Sequence, residues 1–542
     1  MIDVSTFPDI AAVPSIRRRL RVGILQRGGP VPRWHQEAID SITRLACVEA
    51  LFLFRADFNS NPEPHRVSLT YRAWRRVDRR LFGDCDDYDR VDGVDNVNVQ
   101  DKVTPGGRPF ASANLSAIRA AECDVLIDLG GASSYPAQLV SCARHGIWCL
   151  AVDGVTGGLS EQALFRRMFA RDGAFELAVI ARTQQHGVRT VRQSFCPVNA
   201  RSLVRMQSAA LRDGAMLVAR ALRNLAEAPT EFTTVGTPAL GTAAPATNLD
   251  TAKFVARWAR DAAISRLRRR FVGDNWFIAF RRQGSGQRFR LLKPPRGHFY
   301  ADPFTVTRDG RDFIFFEDYD KRIAKGVISV VELDAAGNCS QPEVVLDRPY
   351  HLSYPFLMEW NGELFLIPES RQNGSIDAYV SNDFPRGWQL RHTLMQGVSA
   401  ADPTILEHDG KLWLFAAGFG RDLMDNSQNR DLYVFCSDKL SGPWRPHPKN
   451  PVVSDVRRAR PAGRPFVSDR GLVRPGQDCS FRYGSAVVLS HIQVLSEDEY
   501  SEVPVERIGA DWLPGALGIH TFNTGPNLEV IDARTASYRL FA

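Results

Sequence analysis

The pattern of apolar and polar positions changes character twice along this chain. Over residues 20–225, short and nearly continuous apolar runs alternate with stretches of helical period. Arg21–Leu25 is such a run; it leaves into Gly28-Gly29-Pro30 and a helical stretch from Trp34 to Leu45. Val48–Phe54 follows, then Asp124–Leu129 leaving into Gly130-Gly131, then Gly146–Val152. Apolar runs that exit through glycine into helices predict an α/β domain with a parallel sheet covered on both faces.

Residues 226–250 are rich in Ala, Thr, Pro and Gly without periodicity, the composition of a linker. Thr251–Phe271 predicts a basic amphipathic helix carrying Phe254, Trp258, Ile264 and Leu267, with Asp261 as its single acid. Such a helix either caps the next domain with a solvated basic face or lies on an anionic membrane surface.

From Trp276 onward the texture is all-β, and a repeat emerges. Segments starting at Ala301, Ser353 and Ala401 each begin with a polar-Pro step, run a strand, turn at Asp-Gly or Asn-Gly and return through an aromatic strand. Asp302 to Gly310, Tyr354 to Gly362 and Asp402 to Gly410 share one spacing. A looser copy starts at Gln477-Asp478-Cys479 and turns near Tyr483-Gly484; a fifth starts at His520. Repeated small antiparallel sheets predict a five-bladed β-propeller over 275–542, closed by pairing of 275–282 beside 530–541. The expected layout is a tail (1–19), an α/β domain (20–225), a linker with basic helix (226–274) and the propeller.

At 542 residues, one compact core is excluded, and a hydrophobic fraction of 44% with 24% charged residues excludes wholesale disorder. No run approaches the roughly 18 apolar residues of a spanning helix. The first twenty residues carry Asp3 and two prolines and no apolar stretch, so no secretory leader is expected. Nine scattered cysteines without a CxxC pair suggest reduced thiols in a cytoplasmic protein. The net charge of +7 is modest for this length and accompanies no nucleic-acid motif, so nucleic acid is not expected as a partner.

In a propeller the first strand of each blade lines the axis, so the repeat places Asp302, Tyr354, Asp402, Asp478 and His520 at equivalent inward positions. Crowded carboxylates have their pKa values pushed apart, and glycoside chemistry uses such a pair as acid and base. Glu369, ending the second return strand, joins Asp302, Asp402 and Asp478 as a candidate catalytic group. His351, Tyr354, Arg474, Gln477 and His520 are candidate substrate-binding residues. No metal or cofactor site is expected.

Tyr300-Ala301-Asp302-Pro303-Phe304 and Ala401-Asp402-Pro403 resemble the five-bladed propeller of glycoside hydrolase family 43. His351-Leu352-Ser353-Tyr354-Pro355, Ile367-Pro368-Glu369-Ser370, Ala459-Arg460-Pro461-Ala462-Gly463-Arg464 and Arg474-Pro475-Gly476-Gln477-Asp478-Cys479 are similar to the N-terminal propeller of glucosamine inositolphosphorylceramide transferases. The first resemblance implies a base Asp, a second Asp and a later acid Glu. Asp302 and Asp402 match the first two; no glutamate lies between Glu407 and Glu497, so Asp478 or Glu369 stands in for the third. The α/β half resembles, in Cys123–Asp128 and Ala143–Trp148, the fold of methionyl-tRNA and sugar N-formyltransferases. Cys149 and Ala151 stand where that family has its Asn and His, which implies the fold without formyl transfer.

These readings converge on a cytoplasmic bacterial protein, peripheral at the inner membrane, in surface polysaccharide or glycolipid biosynthesis. Its funnel is expected to bind a glycan, nucleotide-sugar or glycolipid and to cleave or transfer a glycosyl unit. The alternatives are a non-catalytic glycan-binding module assisting a partner glycosyltransferase, and a sugar N-formyltransferase.

Overall fold

A computed structural model describes residues 18–26, 31–55, 68–83, 90–91, 99–103, 112–129, 135–156, 161–227, 243–286, 288–419, 426–469 and 471–538. The two glycine loops at 28–30 and 130–131 and most of the 226–250 stretch lie outside these residues. Contacts divide the chain into two compact units that part at residues 262 and 263, within the helix Asn248–Phe271.

The first unit is built on one sheet, with strands ordered Gly187–Pro197, Ala174–Thr183, Ile147–Val152, Val125–Asp128, Leu20–Gln26, Val48–Arg55, Val99–Val103. The last five run parallel. Ala174–Thr183 and Gly187–Pro197 are antiparallel, so the sheet is mixed where the apolar runs alone predicted a parallel one. The physical reason is the connection: three residues join these two strands, and only an antiparallel pair closes over so short a turn. Side chains alternate between the faces. Val22, Ile24, Leu53, Ile127 and Leu150 pack on the side of the helices Arg33–Thr43 and Leu203–Glu227. Leu25, Phe54, Leu126 and Ile147 meet Ile118 and Leu139 of the helices Ser112–Ala120 and Ala137–Val140.

The helix Asn248–Phe271 is not a cap for the second unit over its first half. Phe254 packs against Trp74 and Phe165 at ring distances of 5.0 and 5.2 Å, and the Trp258 indole donates to the Arg201 carbonyl at 2.9 Å. Its apolar residues there serve the α/β core, whereas Ile264 and Leu267 are exposed. No helix among the described residues is long and apolar enough to cross a membrane.

The second unit is a five-bladed propeller of antiparallel sheets. Blade one begins with His298–Arg308 and Arg311–Asp320, blade two with Ser353–Trp360 and Glu363–Ser370, blade three with Ala401–His408 and Lys411–Ala417. Blade four runs Phe466–Ser468, Gly471–Asp478, Ala486–Leu495, Tyr500–Ile508. Blade five joins Phe522–Thr524 and Leu528–Tyr538 to the early strand Val272–Arg282. That last pairing is unbroken from Val272↔Tyr538 to Arg282↔Leu528 and closes the ring as the repeat predicted.

The common spacing of the first three blades has a backbone cause. Asp309-Gly310, Asn361-Gly362 and Asp409-Gly410 all have positive φ at both residues, the two-residue hairpin geometry whose twist matches the strands. Eight residues before each turn glycine, the strand bulges, with register shifts between Ala301 and Phe304, Ser353 and Phe356, and Ala401 and Thr404. The bulged residues Asp302, Tyr354 and Asp402 have φ of 52°, 46° and 52°. Left-handed backbone at a tyrosine is costly, and bulges of this kind re-aim side chains at the rims of barrels and propellers.

Candidate functional site

Three bulges and the strands beside them gather a buried polar cluster at one end of the propeller. Asp302 Oδ1 accepts from the Thr521 hydroxyl at 2.6 Å and lies 3.1 Å from His520 Nε2. Its Oδ2 accepts from the Tyr354 amide at 3.3 Å. On the other side of the imidazole, Asp532 Oδ2 is 2.9 Å from His520 Nδ1, an ionic contact without hydrogen-bond alignment. Asp532 also accepts from the Asp302, His520 and Thr521 amides.

Asp402 forms the second centre. Its Oδ2 accepts from Arg460 Nε at 2.6 Å and from the Gln477 amide at 2.8 Å. Glu369 Oε2 accepts from the Asp402 backbone N–H at 3.0 Å and lies 3.6 Å from Arg460 Nη2. Arg460 stacks over the Tyr483 ring at 5.1 Å. Glu317 completes the group, with Oε1 3.5 Å from His351 Nε2. His351 Nδ1 accepts from the Gly326 amide at 2.9 Å, which puts the ring proton on Nε2, facing Glu317.

The electrostatics separate these carboxyl groups. Burial opposes the charge of Asp302, but His520, Thr521 and Arg460 outweigh it and hold the group below the usual carboxylate range. Burial likewise opposes charge on His520, yet Asp532 and Asp302 push its pKa up to about 10, so it is an imidazolium. Glu317 goes the other way: burial first, then Asp302, Glu369 and Asp532, raise it well above an ordinary glutamate. Burial, Glu369 and Asp302 also raise Asp402 against the pull of Arg460. Burial lowers His351, leaving it neutral. Asp302, His520 and Asp532 offer three ligand atoms within 4.8 Å of one another, a spacing that suits a cation. The charged imidazole already supplies the positive charge between those two carboxylates.

The structure thus brings together Asp302, Asp402, Glu369, His351, His520 and Gln477. Tyr354 is adjacent but turned inward: its hydroxyl bonds Thr404 at 2.8 Å and accepts from the Gly463 amide at 2.8 Å, locking blades two, three and four. Two expected residues point elsewhere. Asp478 accepts from Ser480 and from Arg507 at 3.1 Å, away from the cluster. Arg474 is spent in a fully buried pair with Glu502 at 2.7 Å, braced by Tyr500 and Arg458. The cause is register. The inner hairpin of blade four turns after Ser468, not at Tyr483-Gly484, so Gln477, opposite Arg460, takes the place that Glu317 has opposite Ala301. Strand period is two, so residue 477 faces the axis and residue 478 faces away.

Sequence reasoning missed Glu317, Asp532, Arg460 and Thr521. Glu317 carried a signal: it follows Asp302 by the same interval that separates Glu369 from Tyr354. Asp532 carried none, because it lies on a second strand at a place where blade one has Phe315.

The fold and site define a closed five-bladed propeller with a ring of buried carboxyl, imidazole and guanidinium groups at one end. A family model described as glucosamine inositolphosphorylceramide transferase 1, N-terminal, matches residues 294–511 of it. Glucosamine inositolphosphorylceramide transferase 1 of Arabidopsis thaliana is 36% identical over 214 residues, which is 38% of this chain and 27% of that protein. Its counterpart in Oryza sativa subsp. japonica is 35% identical over 211 residues, 38% of this chain and 28% of the relative. The chain therefore spans little more than a quarter of the length of the curated relatives it matches. Among solved structures, a family 117 glycoside hydrolase from Zobellia galactanivorans covers 49% of this chain and 91% of its own at 14% identity and a TM-score of 0.34. An α-L-arabinanase of Cellvibrio cellulosa covers 38% of this chain and 77% of its own at 15% identity and a TM-score of 0.29. The five-bladed assignment stands on the sheet pairing itself.

Proposed function

We propose that the propeller recognises a glycosyl group of a lipid-linked or polymeric glycan, and that Asp302 and Glu317 act on it as base and acid. One observation carries this reading: on two paired strands of blade one, Asp302 is held low, against its burial, by His520, Thr521 and Arg460, while burial and then Asp302, Glu369 and Asp532 raise Glu317. Two carboxyl groups set apart in this way are what glycosyl cleavage or transfer needs, the acid protonating the departing oxygen and the carboxylate assisting the incoming nucleophile or stabilising the cationic sugar. Glu369, Arg460 and His351 would bind hydroxyls beside them, and Asp402 would hold Arg460 in place. The names of the relatives, which speak of inositolphosphorylceramide, support a glycolipid as the substrate class.

A second reading, a glycan-binding module serving a partner glycosyltransferase, has its own support. The positions matching Glu317 and Glu369 are Ala417 in blade three and Gln477 in blade four, so only two blades present a carboxyl there. Asp302→Asn and Glu317→Gln separate the two readings when assayed for turnover and for affinity on glycolipid fragments. A catalytic site loses kcat by about a hundredfold or more with KM little changed. A binding site shows no turnover in any form and loses about 1–3 kcal/mol of affinity per variant. Variants matching the parent in both assays would reject both readings.

Formyl transfer is left out of this proposal. Cys149 and Ala151 are buried with Ala178 and Ile180, and neither side chain can do the proton work of the Asn and His it replaces. A peripheral membrane contact along 251–271 belongs to the proposal, supported by exposed Ile264 and Leu267 among arginines.

A further inference from the structure

The helix Leu69–Phe82 of the α/β unit has two faces with different tasks. Its inner face is Tyr71, Trp74, Arg75 and Asp78, all buried. Tyr71 donates to Glu161 at 2.7 Å, and Arg75 binds both Glu161 oxygens at 2.8 and 2.9 Å and Gln207 at 2.9 Å. Asp78 accepts from the Val204 amide at 3.0 Å, and Trp74 packs on Phe165 and Phe254. These contacts tie the helix to three others and fix its roll.

Its outer face is therefore presented to solvent in a fixed orientation, and it is unusual. Leu69, Ala73, Val77 and Leu81 follow one another at steps of four residues, and Leu69, Val77 and Leu81 are 71%, 47% and 55% exposed. Arg72, Arg76, Arg79 and Arg80 are exposed in a strip alongside. Asp78, the one acid of the helix, is turned inward, and among the described residues none of the four arginines has an acidic partner. Four exposed positive charges, without an acidic partner among the described residues, beside a row of aliphatic side chains on a helix whose opposite face is already consumed, match the two demands of an anionic bilayer surface. The arginines meet lipid phosphates, and the aliphatics enter the boundary below them. A nucleic-acid surface would use the arginines but leave the aliphatic row without a role.

We infer that the outer face of the helix Leu69–Phe82 docks this protein on an anionic phospholipid membrane. This deepens the membrane-contact part of the function proposed above and needs nothing from the glycosyl chemistry of the propeller. Vesicle binding is measured without glycan, so either idea can fail alone.

The test is sedimentation of the full chain with vesicles of phosphatidylcholine alone and of phosphatidylcholine containing roughly one-third phosphatidylglycerol. The parent protein should pellet with the anionic vesicles, less so at high salt, and stay soluble with neutral ones. Arg76→Glu with Arg80→Glu should lower the partition coefficient at least about fivefold per arginine, while Arg76→Lys with Arg80→Lys retains binding. Val77→Ser with Leu81→Ser should weaken binding without changing its salt dependence. Unchanged circular dichroism melting confirms that these exposed substitutions leave the fold intact. The inference is overturned if the glutamate and serine pairs bind like the parent. It is equally overturned if Ile264→Ser with Leu267→Ser alone removes binding, or if neutral vesicles bind as well. Capture of duplex DNA that depends on the arginines and ignores the serine pair, with no vesicle binding, would reassign the surface to nucleic acid.

Discussion

His520 Nε2 lies 3.1 Å from Asp302 Oδ1, and this contact joins the fifth blade to the first beside the strands that close the ring. Closure and site chemistry therefore share a residue pair. The imidazolium neutralises the carboxylate that the proposed chemistry uses, and Asp532 holds the imidazolium from behind.

That pair predicts a pH dependence of stability. The pKa of His520 is raised from 6.5 to about 10 on folding, so its contribution is full below about pH 6.5 and is lost as pH rises through about 10. Denaturant unfolding of the parent should show stability declining across that window, by on the order of a few kcal/mol. His520→Gln should lack this part of the slope, and identical slopes in the two proteins would refute the ion pair.

Glu317 predicts a decline of a different origin. Its folded pKa is raised well above 4.5, so the folded state holds a proton that the unfolded chain releases, and stability falls as pH climbs past about 4.5. Glu317→Gln keeps the neutral hydrogen-bonding group and should be as stable as the parent at pH 5 and more stable at pH 8. Paired thermal melts at the two pH values check this, and a glutamine variant weaker at pH 8 would count against a protonated Glu317.

Tyr354→Phe should cost about 1–3 kcal/mol without altering the carboxyl pair, because it strands the buried Gly463 amide and takes one of the two bonds of the Thr404 hydroxyl. The loss should be visible in denaturant midpoints. Glycan affinity or turnover should stay within about twofold, since the phenol bonds across blades and not into the site.

The α/β unit should yield no N-formylated amino sugar from formyl-tetrahydrofolate, because buried Cys149 and Ala151 replace the Asn and His that would bind and polarise the donor. Mass spectrometry of reaction mixtures tests this directly, and a formylated product would restore the formyl-transfer reading.

Much of the fold is local and so could be read from the chain. Asp309-Gly310, Asn361-Gly362 and Asp409-Gly410 specify hairpins because their own φ preferences do, and equal hairpin spacing repeats the blade. The same regularity located Asp302 and Asp402, each fixed by its distance to a turn. Blade four shows where this ends. It lacks the Asp-Gly signal, so only the pairing of Phe466–Ser468 with Gly471–Val473 decides that Gln477, not Asp478, faces the axis. The partners of each carboxylate are likewise non-local. Asp302 is 218 residues from His520, and Asp402 is 58 from Arg460. Whether a carboxylate ends up ionised or protonated depends on which charges the closed ring brings within a few ångströms in a dry interior, where each is felt strongly. The sequence by itself therefore determined the turns of the first three blades and the axial placing of Asp302, Asp402 and Glu369, because each is set by its distance to a local turn. Tertiary closure decided which of them pair with a cation and which stay protonated, because burial and opposite charge act through space and not along the chain.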